Sequence, residues 1–198
     1  MPVKNVPAWS GTPPADTAEA RHRLTDAAVR CVQRLGHERT RLADVASEAG
    51  VTRPTIYAYF ESRDDILRSA MLHAADDLVD RLSEHVGGQH SAADTAVEIL
   101  IFCLREVASH PGLAPLLTPG GAGFGSRAPL APRGLSVARR AVRPLIDQCP
   151  GLEAELDEVA EVMVRYFLSL ISVQGPRRRS EAQLREFLHK RLVPALGI

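Results

Sequence analysis

TRLADVASEAGVTRPTIYAYFESR, residues Thr40 to Arg63, decides how the rest of the chain is read. Leu42, Val45, Ala46 and Ala49 recur at i, i+3, i+4 and i+7, the period of a short helix with one buried stripe. Thr40 stands where that helix would take its N-cap. Gly50 follows the last periodic residue, where a chain commonly leaves a helix through a left-handed conformation that costs glycine little. Thr52 is placed to cap a second helix, and Pro54 suits its first turn, where a missing N–H has no intrahelical acceptor to lose. In that second helix Ile56 and Phe60 share a face and leave Arg53, Thr55, Tyr57 and Tyr59 on others. Two short helices joined by a tight glycine turn form a helix-turn-helix.

In such a unit the second helix enters the major groove, side chains near its start reach base edges, and flanking donors grip phosphates. Arg53 and Thr55 are the candidate base readers, since arginine can contact guanine in bidentate fashion. Thr40, Thr52, Tyr57, Tyr59 and Arg63 are the candidate phosphate contacts. The same pattern also serves proteins that never touch DNA, with Tyr57 and Tyr59 covering a small core. The residues alone leave both readings open.

The run AGVTRPTIYAYFESRDDIL, with LADVA before it, closely resembles the DNA-binding segment of the tetracycline-repressor (TetR) family of bacterial transcriptional regulators. Its most specific piece is Tyr57-Ala58-Tyr59-Phe60 followed by Glu61-Ser62-Arg63, where the family has a tyrosine, a spaced aromatic pair and then a lysine. Arg63 stands in for that lysine. Arg53-Pro54 departs from the small or glycine residues that many members carry. The resemblance implies a homodimeric repressor with a small-molecule effector, the closing YFLSLISVQGP looking like the end of the dimerising region.

A chain of 198 residues with 45% hydrophobic and only 5% aromatic residues, rich in leucine and alanine, favours an all-α protein. The 24 basic residues balance 24 acidic ones, which argues against a protein that coats nucleic acid by bulk charge. A site-specific binder needs positive groups only on one face. No secretory h-region or membrane-length apolar run is present, so a cytoplasmic protein with no membrane partner is expected. Cys31, Cys103 and Cys149 are widely spaced and never in a C-x-x-C pair, and the seven histidines show neither H-E-x-x-H nor H-x-x-x-H. No metal site and no cofactor are assigned. No G-x-S-x-G motif or phosphate-binding glycine turn points to an enzyme.

Residues 1–14, with four prolines and few large apolar groups, read as a disordered arm. The helix-turn-helix domain is placed at 15–62, opened by a helix from about Asp16 to Leu35. An effector-binding and dimerisation body is placed at 63–198, giving about nine helices in all. Ser62, Ser91 and Ser180 each start a capping box, and the helix after Ser62 joins head to body. Pro119 and Gly120 to Gly125 lie in a loop from Thr118 to about Ala131, read as either a disordered segment or a lid. The triplet Arg177-Arg178-Arg179 reads as solvated loop in preference to a DNA contact. Leu168, Leu170, Leu184, Phe187 and Leu188 on the last two helices are the candidate dimer interface, with intrachain core as the alternative. Phe102, Glu106, Met163, Tyr166 and Phe167 bring aromatics, a thioether and polar tips into aliphatic segments and are the candidate effector contacts, with an apolar small molecule as the ligand. The reading is therefore a dimeric regulator on double-stranded DNA, with a helical enzyme or acyl-group binder and a helical adaptor as the rivals.

Overall fold

The computed structural model describes residues 8–88, 91–113, 128–172 and 179–198, and is all helical over them. Eight α-helices follow in order: α1 Thr17–Leu35, α2 Leu42–Glu48, α3 Arg53–Tyr57, α4 Arg63–Val86, α5 Ala92–Ser109, α6 Pro132–Gln148, α7 Leu156–Ser172 and α8 Glu181–Ala195. The chain divides into two compact units at Ala74 and Ala75, inside α4.

The first unit holds the helix-turn-helix. Asp16 caps α1 by accepting the Glu19 N–H, and Leu24, Ala27, Ala28 and Cys31 on one face of α1 are fully buried. Cys31 is thus a small core residue, as its place on the apolar stripe predicts. Val45 and Ala46 of α2, Ile56 of α3, Phe60 and the α4 residues Ile66 and Leu67 are buried with them. Each large apolar side chain so buried contributes about 1.5–3 kcal/mol. Within the arm, Ala8–Gly11 is a 3-10 helix, tied to the turn by a 2.9 Å bond from the Trp9 N–H to the Gly50 carbonyl. Trp9 meets Tyr59 edge to face, ring centroids 6.3 Å apart. Residues 1–7 of that arm lie outside the described residues.

In the second unit α5 lies against α6, α7 and α8. Its run Val97 to Phe102 is buried throughout, as a helix apolar on most faces must be. The serine caps hold: Ser62, Ser91 and Ser180 accept from the N–H of Asp65, Asp94 and Gln183. Glu98 is buried in α5, where its carboxylate meets His85 Nε2 at 2.7 Å and the Arg185 guanidinium of α8. Residues 118–127 of the expected loop and Arg177 and Arg178 of the basic triplet lie outside the described residues; Ala128–Leu130 is a short 3-10 helix. Arg179 stacks on Phe187, its guanidinium carbon 4.3 Å from the ring centroid. Among the described residues no helix is long and apolar enough to cross a membrane.

Candidate nucleic-acid interface

The turn between α2 and α3 is built as its glycine demands. Gly50 has φ +65°, where an L side chain is strained, and the Val51 N–H reaches back to the Ala46 carbonyl at 2.9 Å to close the end of α2. Thr52 then caps α3. Its Oγ1 accepts the Thr55 N–H at 3.4 Å and lies 2.9 Å from the Thr55 hydroxyl. With Ile56 wholly buried beneath it, α3 turns Thr52, Arg53 and Pro54 outward. Tyr57, one turn after Arg53, is 57% exposed and is the outstanding exposed large apolar side chain among the described residues. An aromatic ring held out in water beside an arginine at the start of a helix is an arrangement suited to a groove edge.

The seven residues singled out in the sequence do not all share this face. Thr52, Arg53, Thr55 and Tyr57 do. Thr40 is fully buried, and its hydroxyl donates to the Gly36 carbonyl at 2.8 Å. It offers a phosphate no surface, and the N-cap of α2 is Arg41, whose N–H is bound by the Asp44 carboxylate at 2.8 Å. Tyr59 is half-buried against Trp9. Its carbonyl accepts from Arg21, whose guanidinium also covers the Phe60 ring at 4.2 Å.

Arg63 is likewise turned inward. Its Nε donates to the Thr40 carbonyl at 2.8 Å and its Nη2 to the His37 carbonyl at 2.6 Å, while Nη1 meets Asp64 at 3.1 Å. This guanidinium ties the start of α4 to the loop before α2. Beneath it His37 is buried, and its imidazole is pushed below the ordinary value of 6.5, first by burial and then by the charge of Arg63.

Two residues on the cationic side escape sequence reasoning. Arg39 and Arg41 are exposed at the amino-terminal approach to α2, as Arg53 is at the start of α3. By contrast Arg30 and Arg34 are both spent on Glu48, at 2.8 and 3.0 Å, and pin α1 to α2. The signal in the sequence was the R-x-R immediately before α2, at the end of the first helix that crosses the DNA backbone in such units.

The effector candidates are dispersed. Phe102 and Met163 are buried in α5 and α7, which lie side by side. Phe102 stacks on His85 with centroids 4.7 Å apart. Glu106 is held by Arg81 at 2.6 Å, which keeps its carboxyl below the usual range. The Tyr166 hydroxyl donates to the Arg191 carbonyl at 3.2 Å, and Phe167 is half-buried.

Comparison with known proteins bears on the head most directly. Residues 24–70 match the model for bacterial regulatory proteins of the tetR family. The fatty acid metabolism regulator protein of Bacillus subtilis is 30% identical over 71 residues, which are 36% of this chain and 37% of that protein. This chain therefore matches little more than a third of that relative's length. An HTH-type transcriptional regulator of Mycobacterium tuberculosis is 27% identical over 179 residues, 90% of this chain and 86% of its own. Among solved structures, the TetR family repressor AlkX from a Dietzia species superposes with a TM-score of 0.65 at 22% identity, over 89% of this chain and 95% of its own, a likeness of fold.

Proposed function

We propose, from the premise that this chain belongs to the tetR family of bacterial regulatory proteins, that it is a cytoplasmic, DNA-binding transcriptional repressor. The observation that carries this reading is the outward face of α3, where Arg53 and the 57% exposed Tyr57 stand one turn apart above a buried Ile56. Arg53 reads a base, Thr55 and Thr52 set the start of the helix, and Tyr57 with Arg39 and Arg41 grips phosphates. Each phosphate neutralised adds about 0.9 to the magnitude of the salt slope, so Arg39 and Arg41 of each head give roughly 3.6 for a dimer. Arg53→Ala should lose about 1–3 kcal/mol of discrimination at one base pair of each half-site and leave the other positions unchanged. Mobility shifts on the DNA flanking the gene, run over a salt series with wild type and this variant, test the reading. Equal affinity of both proteins for every duplex would remove α3 from recognition.

The protein acts as a homodimer through α7 and α8, since one head reads only a few base pairs. Leu168 and Leu170 of α7 and Leu184 and Phe187 of α8 are half-buried in the single chain and supply the apolar face. Leu188, fully buried within its own chain, serves the intrachain core and not this face. Leu170→Asp with Leu184→Asp is expected to give a folded monomer whose operator affinity falls by about 10²–10⁴-fold, the loss of two linked heads. Sedimentation velocity with circular dichroism measures it, and a double variant that remains dimeric would place the interface elsewhere.

A small apolar effector, received between α5 and α7 near Phe102, Met163 and Phe167, lowers operator affinity by favouring a body conformation that α4 carries to the head. Coupling of about 1–3 kcal/mol changes operator affinity roughly 5- to 150-fold, and operator DNA weakens the ligand by the same factor. Titrating medium-chain alkanes, alcohols and fatty acids into the protein–operator complex should release DNA with one of them. A ligand that binds tightly without that reciprocity is not the effector.

A further inference from the structure

We propose that His22, Asp26 and His73 form a binding site for a divalent transition-metal ion of the zinc class, joining α1 to α4 in the head. His22 and Asp26 are one turn apart on α1 and face the same way. His22 Nδ1 lies 3.2 Å from one Asp26 carboxylate oxygen, and His73 Nε2 of α4 lies 3.9 Å from the other. The two imidazole rings meet edge to face with centroids 5.9 Å apart. All three donor atoms lie within 4.8 Å of one another.

Tetrahedral ligands at about 2.0–2.1 Å from zinc stand about 3.3 Å from each other, so the cluster closes on an ion through movements of about an ångström or less in side chains that have room to make them. The side chains of His22, Asp26 and His73 are 66, 32 and 34% exposed, which leaves the ion a path in. Asp26 also lines a groove with Trp9, Arg23, Arg30, Glu48 and Ala49. The neighbouring cations do not take its place. Arg23 is held by Glu19 and the Thr12 carbonyl, and Arg30 by Glu48. Two imidazoles and one carboxylate favour zinc, nickel or copper over the oxygen-seeking magnesium and calcium, and three protein ligands leave a fourth position for water.

The donors lie 47 residues apart along the chain between Asp26 and His73, so the complete site exists only when α1 and α4 are folded together. Metal binding therefore stabilises the head. No local motif announces the site, because α1 carries H-x-x-x-D in place of H-x-x-x-H and the third donor is brought in by the fold.

The test uses the full chain, stripped with a chelator, and requires no DNA. Isothermal titration with zinc alone should show one strong site per chain. His22→Ala and His73→Ala should each weaken it by at least about 10-fold. Zinc should raise the melting temperature read by the fluorescence of Trp9 in the wild type and not in either variant. Cobalt in place of zinc should give the visible absorption of a four-coordinate nitrogen and oxygen site without a thiolate charge-transfer band. His22 lies largely in solvent, so its variant keeps the fold, which circular dichroism checks. Wild-type protein that binds no zinc at millimolar concentration, or variants that bind it as tightly as the wild type, would overturn the proposal.

Discussion

Arg63→Ala is expected to lower the stability of the head by about 2–3 kcal/mol and to weaken binding to every DNA sequence while leaving the salt slope unchanged. The guanidinium donates to the carbonyls of Thr40 and His37. Hydrogen bonds to a charged group are worth about 1.5–3 kcal/mol each, discounted here because the side chain is 30% exposed. The single tryptophan, Trp9, packs on Tyr59 within the head, so urea unfolding followed by its fluorescence reads this unit. A second signature comes from His37. Its folded pKa lies below 6.5, so the unfolded head binds more protons, and stability that is full above pH 6.5 drains away as the pH falls toward the depressed value. Without Arg63 the depression shrinks to the part due to burial. The loss on going from pH 7.5 to 5.5 should therefore be smaller in Arg63→Ala than in the wild type. If Arg63 were a phosphate contact, stability would hold and the salt slope would fall by about 0.9 per head. Those outcomes are opposite.

That contrast shows where reading the sequence stops. The helix ends were legible because they are local: Asp16, Thr52, Ser62, Ser91 and Ser180 sit within three or four residues of the N–H groups they bind, and Gly50 takes the left-handed turn its position calls for. The apolar period placed Leu24, Ile56 and Leu67 in the core for the same reason. Arginine is different. A long side chain with five donors is satisfied by whatever lies within its reach, and that is set by the fold. Arg21 and Arg63 go inward to backbone carbonyls, Arg30 and Arg34 go to Glu48, and Arg39, Arg41 and Arg53 remain on the surface. No local pattern separates these groups. Likewise α8 carried Leu184, Phe187 and Leu188 as one apolar set, and only packing against α5 distinguishes the buried Leu188 from its half-buried neighbours.

Glu98 is the sharpest case of a residue whose role depends on the fold, and Arg185→Met should have the largest effect on the body. A glutamate in the middle of the apolar run Val97 to Phe102 is only 5% exposed, between His85 and Arg185. Burial pushes its carboxyl up, but the bonds to Arg185 and His85 outweigh burial and hold it below the ordinary 4.5. Removing one partner of a buried ion pair costs about 3–5 kcal/mol; the low end applies because Arg185 and His85 are 38 and 35% exposed and water shares in their solvation. In the wild type this carboxylate stabilises the body fully above pH 4.5, and the contribution is lost as the pH falls through the lower folded value. In Arg185→Met burial is no longer outweighed, the folded value moves up, and acidification from pH 7 to 5 should narrow the gap between variant and wild type. Glu98→Gln combined with Arg185→Met removes the stranded charge and should recover much of the loss at pH 7. Urea unfolding followed by circular dichroism at both pH values measures all three proteins. An Arg185→Met protein as stable as the wild type at pH 7 would mean that Glu98 draws its compensation from His85 and water, and that the hold of α8 on α5 does not depend on Arg185.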